Sequence, residues 1–437
     1  MVLGLLEENM HILNPPDDQN IELQVIDEVI EAINREFDSS TLRSPNKEDQ
    51  GKVKSRIHVL VGKSYRQRGL YPPIQDHTKI TDEIARRVLG LGFLDLFLPP
   101  ARTDLSEITI YSTGLVQVMP KGSVRWETVD LKVDANEVWR IITLLLGGQS
   151  KALNEATPSV NARLPATLYN PGGGRIKVLH PVIAPGNGYP SVNIRLYEQK
   201  PVHSEWLLER GLMPPEMMEF LGSAVREGRR ILITGGTRTG KTTLLSALCN
   251  YLPVGWRIIK IEDPAEIWID RDTVQTIEGR PVPPGSEVPP YTLADGVDDA
   301  MRMAPDYLIV GEVRDGKAAL AMFRAMLTGH SGAGTFHANS PREAFRRLAT
   351  IMGADEGIRP HEAAQVMADS IDLLVQIGIR DEVRRITEIV QLSRITQRQG
   401  VRFRQIWRYD DHSSPDDPHW IWLDGNGIEC SDTRKLL

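Results

Sequence analysis

Between Gly235 and Thr242 the sequence GGTRTGKT sets glycines, a lysine and a threonine at the spacing G-x-x-x-x-G-K-[ST]. Glycine lets the backbone curl into a ring of inward-pointing N–H groups. Such a ring, at the positive end of a following helix, attracts a phosphate chain. Lys241 adds a compact charge for β- and γ-phosphates, and the Thr242 hydroxyl is placed to ligate Mg²⁺. The expected phosphate contacts are Gly235, Gly236, Thr237, Arg238, Thr239, Gly240, Lys241, Thr242 and Thr243. The bare pattern also occurs by chance, so its flanks decide. Ile231-Leu232-Ile233-Thr234 is a short β-branched run suited to a buried parallel strand, and Leu244, Leu245, Leu248 and Tyr251 share one helical face. A strand, a glycine turn and a helix in that order predict a nucleoside triphosphate site.

Three further clusters follow the loop. Ile261-Glu262-Asp263-Pro264-Ala265-Glu266 closes an apolar strand, where a carboxylate can orient water or take its proton, or simply mark a polar exit. Asp306 to Asp315, DYLIVGEVRD, is an apolar strand ending in an acid, the arrangement that brings Glu312 to Mg²⁺ or its water shell. Thr328 to Ser340, TGHSGAGTFHANS, holds His330 and His337 among small residues. The histidines read either as half of a metal site or as a strand-end group that hydrogen-bonds a γ-phosphate. Chemistry alone leaves that choice open.

The elements that must position these groups come from the rest of the 437 residues, enough for two or three domains. Hydrophobic content of 41% and charged content of 25% are those of a globular chain. A net charge of −7 argues against a general nucleic-acid binder, which needs a basic surface. Cys249 and Cys430 are too few for a disulfide framework or a four-thiolate zinc site, and they suit a reducing cytoplasm. The opening MVLGLLEENMHIL lacks a basic leader, and no apolar run approaches the ~20 residues of a membrane span.

The pattern predicts a helical or partly mobile lead-in over 1–75, with a helix from Ile21 to Phe37. The basic run Lys52, Lys54, Arg56, Lys63, Arg66 and Arg68 there reads as a solvated face or linker. An α+β domain is expected over 76–197, with helices from Thr81 to about Gly90–Gly92 and from Val133 to Leu146. Its strands are expected at 107–111, 114–119, 159–164, 175–183 and 191–197 in a mostly antiparallel sheet. A linker or hinge over 198–215 precedes a βα alternation from Glu216. That alternation predicts a parallel sheet with strands at 231–234, 256–261, 307–310, 333–337 and 371–377. Carboxy-terminal strands at 383–392, 401–409 and 420–423 complete a 216–437 domain.

In their order the four clusters resemble the ATPases of type II and type IV secretion systems and type IV pili. Those proteins carry a Walker A loop, an acidic box, a Walker B strand ending in Gly-Glu, and a histidine box. Flanks at Glu278-Gly279-Arg280-Pro281 and Pro341-Arg342-Glu343-Ala344 are most similar to the CpaF-type branch, the motors of tight-adherence pili. The resemblance covers about Ile80 to Leu392 and departs at three places. Arg238-Thr239 replaces the usual Gly-Ser or Ser-Gly, the two histidines stand one residue closer, and the tract between Leu164 and Arg175 is longer.

The resemblance implies an α/β fold, a RecA-like P-loop domain preceded by a PAS-like α+β domain, with ATP and Mg²⁺ bound between them. It implies a homohexameric ring at the cytoplasmic face of the inner membrane, recruited by a membrane-embedded platform protein, with no direct nucleic-acid partner. Carried over by position, Glu262 is the base or water-positioning acid and Glu312 the Walker B acid near Mg²⁺. His337 becomes the γ-phosphate sensor, His330 shapes its box, and Arg175 and Arg195 reach the phosphates. The expected function is a motor for pilus assembly or retraction, or alternatively for type IV secretion export. A nucleic-acid translocase would share the P-loop but not the acidic balance. A nucleotide-gated scaffold would bind ATP with little turnover.

Overall fold

The computed structural model describes residues 18–37, 42, 47–99, 101–147, 149, 151–164, 173–197, 202–269, 271–282, 287–395, 400–415 and 417–423. Of the loop that the run Asn14-Pro15-Pro16-Asp17-Asp18 predicts, residues 14–17 lie outside them, as do most of the long tract after Leu164 and Cys430, while Asp18 opens a helix. Two compact units emerge: residues up to Lys121 with Arg125–Leu196, and Gly122–Val124 with Tyr197 onward.

In the first unit, helices Asp18–Glu36, Lys47–Gln67 and Ile74–Leu89 share an apolar cluster that includes Val29, Ile33, Val53, Ile57, Ile80 and Ile84. The basic run is therefore helical. Lys52, Lys54, Arg56 and Arg68 pair with Glu48, Asp82, Glu36 and Glu28 at 2.6–2.8 Å. The third helix begins at Ile74, ahead of the expected Thr81, because Pro73 pre-sets the turn before it.

A six-stranded sheet follows, built from β1 (Leu105–Ile110), β2 (Val116–Pro120), β3 (Glu127–Val129), β4 (Ser159–Leu164), β5 (Gly174–Leu179) and β6 (Ser191–Leu196). Its order is β3-β2-β1-β6-β5-β4, with antiparallel pairing throughout. β3 is the strand of this sheet that the pattern did not predict; three residues are too few for alternation to show. Along β4 exposure alternates strictly, as in a sheet with one face wet and one buried. The buried face, with Ile108, Val178 and Ile194, packs with Val138, Ile141, Ile142 and Leu145 of the helix Ala135–Gly147.

The first helix of the second unit lies inside the expected linker. Ser204–Glu209 is helical, and Leu207 anchors it in the core of this unit because the stretch carries apolar side chains that a bare hinge would expose. The sheet that follows has nine strands: β7 (Ile231–Gly235), β8 (Ile258–Glu262), β9 (Val274–Glu278), β10 (Tyr307–Val313), β11 (Ser331–His337), β12 (Leu373–Arg380), β13 (Val383–Ile395), β14 (Gly400–Tyr409) and β15 (Trp420–Trp422). They run in the order β15-β14-β13-β12-β7-β11-β10-β8-β9. β12 through β9 are parallel, and β13, β14 and β15 extend the sheet antiparallel. Residues of β7 and β8 are buried without interruption, as expected of strands covered on both faces. One face packs on the helices Pro215–Arg226 and Lys241–Cys249. The other packs on Gly316–Leu327, Pro341–Glu356 and Pro360–Ser370. β7 thus lies in the interior of the sheet, and its carboxyl end leads into the glycine loop.

Candidate active site

Gly235 ends β7, and the register sets His337 of β11 on one side of it and Ile377 of β12 on the other. A Cβ at Gly235 would lie 2.5 Å from Thr239 Oγ1 and 2.7 Å from the Ile377 carbonyl, so only glycine fits there. Gly240 caps the helix Lys241–Cys249 with φ 95°, a conformation that L side chains rarely adopt. Within the loop Thr239 Oγ1 donates to Gly236 O at 2.9 Å. Lys241 is 8% exposed, and its Nζ donates to Gly235 O at 3.2 Å and Gly236 O at 2.8 Å. The ammonium is therefore held over the ring, beside a helix amino terminus. That donor set fits a phosphate chain.

Arg238 has a positive φ of 61°, where glycine is the usual occupant. Its side chain is exposed, and its carbonyl accepts Arg384 Nε at 2.9 Å from β13. The departure from the common loop sequence is thus a backbone one: Arg384 holds the left-handed residue that a glycine would adopt freely.

Glu262 and Glu312 are placed very differently. Glu262 is 2% exposed at the end of β8. Its Oε2 accepts Lys260 Nζ at 3.0 Å, and its Oε1 accepts the N–H groups of Glu266 (3.0 Å) and Ile267 (2.9 Å). A Cβ on Gly311 would stand 2.8 Å from Glu262 Cγ, so β10 passes directly against this side chain. Thr335 of β11 completes the row by donating to Gly311 O at 2.6 Å. Glu312 is half-exposed where β10 nears its end, and its Oε2 accepts Arg314 Nε at 2.7 Å. The resemblance implies a base or water-positioning acid at Glu262, and the structure gives its carboxylate three donors. Thr242 lies in the first turn of the loop helix, and a hydroxyl with a carboxylate and water is a donor set that Mg²⁺ favours.

His337 ends β11 beside the loop, and burial first, then the Lys241 and Arg347 cations, holds its imidazole below the usual range, with Glu312 and Glu343 opposing. It is neutral at pH 7 and keeps one N–H to donate. His330 precedes the same strand at its other end, where Nδ1 lies 3.2 Å from both Thr328 Oγ1 and Ala325 O. Seven residues of strand separate the two rings by about 23 Å. A shared metal is ruled out.

Arg175 and Arg195 are direct cross-strand neighbours on β5 and β6, in the first unit. Arg163 of β4 stands abreast of Arg175, and Glu107 of β1 abreast of Arg195. Three arginines thus stand abreast across β4, β5 and β6, with Glu107 of β1 in the same row. Arg163 was missed, although the alternation of SVNARL places it on the polar face. Lys260 was missed too, although residues two apart on a strand share a face and so pair Lys260 with Glu262.

An uncharacterised protein of Methanocaldococcus jannaschii is 33% identical over 278 residues, 63% of this chain and 48% of that one. The chain spans about half the length of its Methanocaldococcus relatives. A putative conjugal transfer protein of Mycobacterium tuberculosis is 30% identical over 334 residues, 75% of this chain and 91% of that one. The type IV secretion system protein VirB11 of Bartonella henselae is 26% identical over 334 residues, 67% of this chain and 91% of that one. Residues 157–403, more than half of the chain and including the phosphate loop, both acids and both histidines, match the family described as type II/IV secretion system protein, and the chain belongs to that family.

Proposed function

We propose that this chain is a Mg²⁺-dependent ATP hydrolase that works as a homohexameric motor. The observation that carries the reading is the loop at the end of β7, where Lys241 is held over the Gly235 and Gly236 carbonyls with His337 alongside. Lys241 offsets phosphate charge, and the N–H groups of Gly236 to Thr243 cradle the chain. Thr242 and Glu312 would hold Mg²⁺, which when bound draws charge from phosphate oxygens. Glu312, at the open edge, also takes the water-facing role. Glu262 anchors the 262–267 segment against β10, in place of the base or water-positioning role that the resemblance implies. Neutral His337 donates to the terminal phosphate and registers its loss.

The test is turnover of ATP by the purified full chain with and without Mg²⁺. Lys241→Ala is expected to abolish turnover and weaken nucleotide binding; unchanged values in that variant would remove the assignment. Arg195→Ala is expected to cut turnover with nucleotide still bound. Stimulation of turnover by DNA would favour a translocase instead.

The work the motor does is proposed as assembly or retraction of a type IV-like, tight-adherence pilus. The motor would act at the inner face of the cytoplasmic membrane through a platform protein. Among the described residues no helix is long and apolar enough to cross a membrane. The names of the Mycobacterium and Bartonella relatives favour a second reading, substrate export by a type IV secretion system. A deletion strain separates the two: loss of surface pili supports the first, loss of export with pili intact the second.

A further inference from the structure

The carboxyl edge of the nine-stranded sheet carries a second polar arrangement, on the face away from the loop helix. Thr234 stands two residues after Leu232 on β7, and Gln376 two residues after Leu374 on β12, so each shares its leucine's face. Both leucines pack with the helices 316–327, 341–356 and 360–370. Thr234 is 0% and Gln376 3% exposed, so a hydroxyl and a primary amide are buried in otherwise apolar strands. Burying an amide is unfavourable unless its hydrogen bonds are made, and here they are. Thr234 Oγ1 donates to Gln376 Oε1 at 2.5 Å. Gln376 Nε2 donates to Ala338 O at 3.1 Å and to Ile377 O at 3.3 Å.

The partner Ala338 gives this amide its reach. Ala338 follows His337, and its N–H donates to Gly235 O at 3.3 Å, the same carbonyl that accepts Lys241. A closed circuit results: Gly235 to Ala338, Ala338 to Gln376, Gln376 to Thr234, and Thr234 back along the chain to Gly235. One side chain from β12 thereby fixes the exit of β11, with its histidine, against the start of the phosphate loop. A leucine would fill the space without holding the Ala338 carbonyl.

We propose that Gln376 is a positioning residue: through Ala338 it sets where His337 stands relative to the phosphate loop, and with it the preference for nucleoside triphosphate over diphosphate. The proposal rests on His337 facing the terminal phosphate. Gln376→Leu in the full chain removes the bond to Ala338. Without nucleotide, the amides of 335–340 are then expected to exchange about tenfold faster with solvent, with the helix 316–327 unchanged. The ratio of the Kd for ADP to that for a non-hydrolysable ATP analogue is expected to fall about tenfold, and kcat to fall with KM moving less than about threefold. Gln376→Glu keeps the size but turns an acceptor towards Ala338 O, and should behave like the leucine variant. Thr234→Val keeps the Ala338 bond and should retain wild-type discrimination.

If Gln376→Leu does not fold, Gln376→Met carries the same test with an unbranched side chain. A folded Leu or Met variant with wild-type exchange at 335–340, or with wild-type discrimination, overturns the proposal. If wild-type protein binds neither nucleotide, the ATPase reading itself has failed; the exchange experiment, which uses no nucleotide, still judges the tether.

Discussion

Replacing Glu262 by Gln separates a carboxylate that does chemistry from one that holds a segment in place. The Glu262 and Lys260 side chains are 3% and 11% exposed, with Nζ 3.0 Å from Oε2. Lys260 Nζ also donates to Ile267 O at 2.6 Å, so the pair and the backbone of 266–267 form one closed cluster. A glutamine fits the space, but its NH₂ must face either the ammonium or the two backbone N–H groups. Severing a buried ion pair costs about 3–5 kcal/mol, and the one acceptor that remains puts this variant near the lower end, about 3 kcal/mol. In a unit of this size each kcal/mol moves the melting temperature by about 2–4 °C, so Glu262→Gln should melt about 6–12 °C below wild type. Adding Lys260→Met removes the cation that the amide cannot satisfy, and stability should return to within about 1 kcal/mol. Thermal unfolding followed by tryptophan fluorescence, with ATP turnover on the same samples, gives both readouts. A Glu262→Gln variant that melts like wild type yet turns over about 10²-fold more slowly would refute the structural role and restore the base.

Three other outcomes follow from single side chains. Burial pushes the Asp95 carboxyl up to about 6, although it accepts the Leu91 N–H at 2.8 Å. The folded state therefore binds more protons than the unfolded chain between about pH 4 and 6, so stability falls as pH rises through that window. Asp95→Asn keeps the acceptor and should stabilise the protein by about 2 kcal/mol at pH 7.5 with little gain at pH 4; equal gaps between the two melting curves at both pH values would contradict this. Burial also pushes the Cys249 thiol up to about 12. In a Cys430→Ser background it should react with a thiol reagent at pH 8 on the order of 10²-fold more slowly than in urea, and fast native labelling would mean that the loop helix opens readily. Arg238→Gly relieves a left-handed residue worth about 1 kcal/mol and should leave nucleotide affinity equal or higher. A tenfold loss, measured by titration, would show that the Arg238 side chain itself is engaged.

The parallel strands were legible because burial on both faces demands unbroken apolar runs, and Ile231–Ile233 and Tyr307–Val310 supply them. β9 escaped because Val274–Glu278 lies at a sheet edge, partly exposed, with polar residues where a buried strand would carry aliphatic ones. The phosphate loop could be read from spacing, since its chemistry is local: Lys241 bonds carbonyls five and six residues away. Gln376 could not be found in the same way. Its partner Thr234 is 142 residues distant, and a glutamine in an apolar run gives no sign of what it meets across the sheet. Spacing alone paired the two histidines without ranking them, and strand direction sets His337, not His330, beside Gly235.

The interior position of β7 also decides when the site can exist during synthesis. Its neighbours are β11 and β12, and Thr234 meets Gln376 only 142 residues later. At about 5–20 residues per second the ribosome needs roughly 7–30 s to supply that partner. Until β11 and then β12 are made, Ile231–Thr234 is a largely aliphatic ribbon lacking one or both sheet neighbours, of the kind chaperones and aggregation compete for. The six-stranded sheet of the first unit is complete at Leu196, before β7 has been made. The nascent chain thus carries a finished domain ahead of an unfinished one, and the phosphate loop closes late, after β12 has left the exit tunnel.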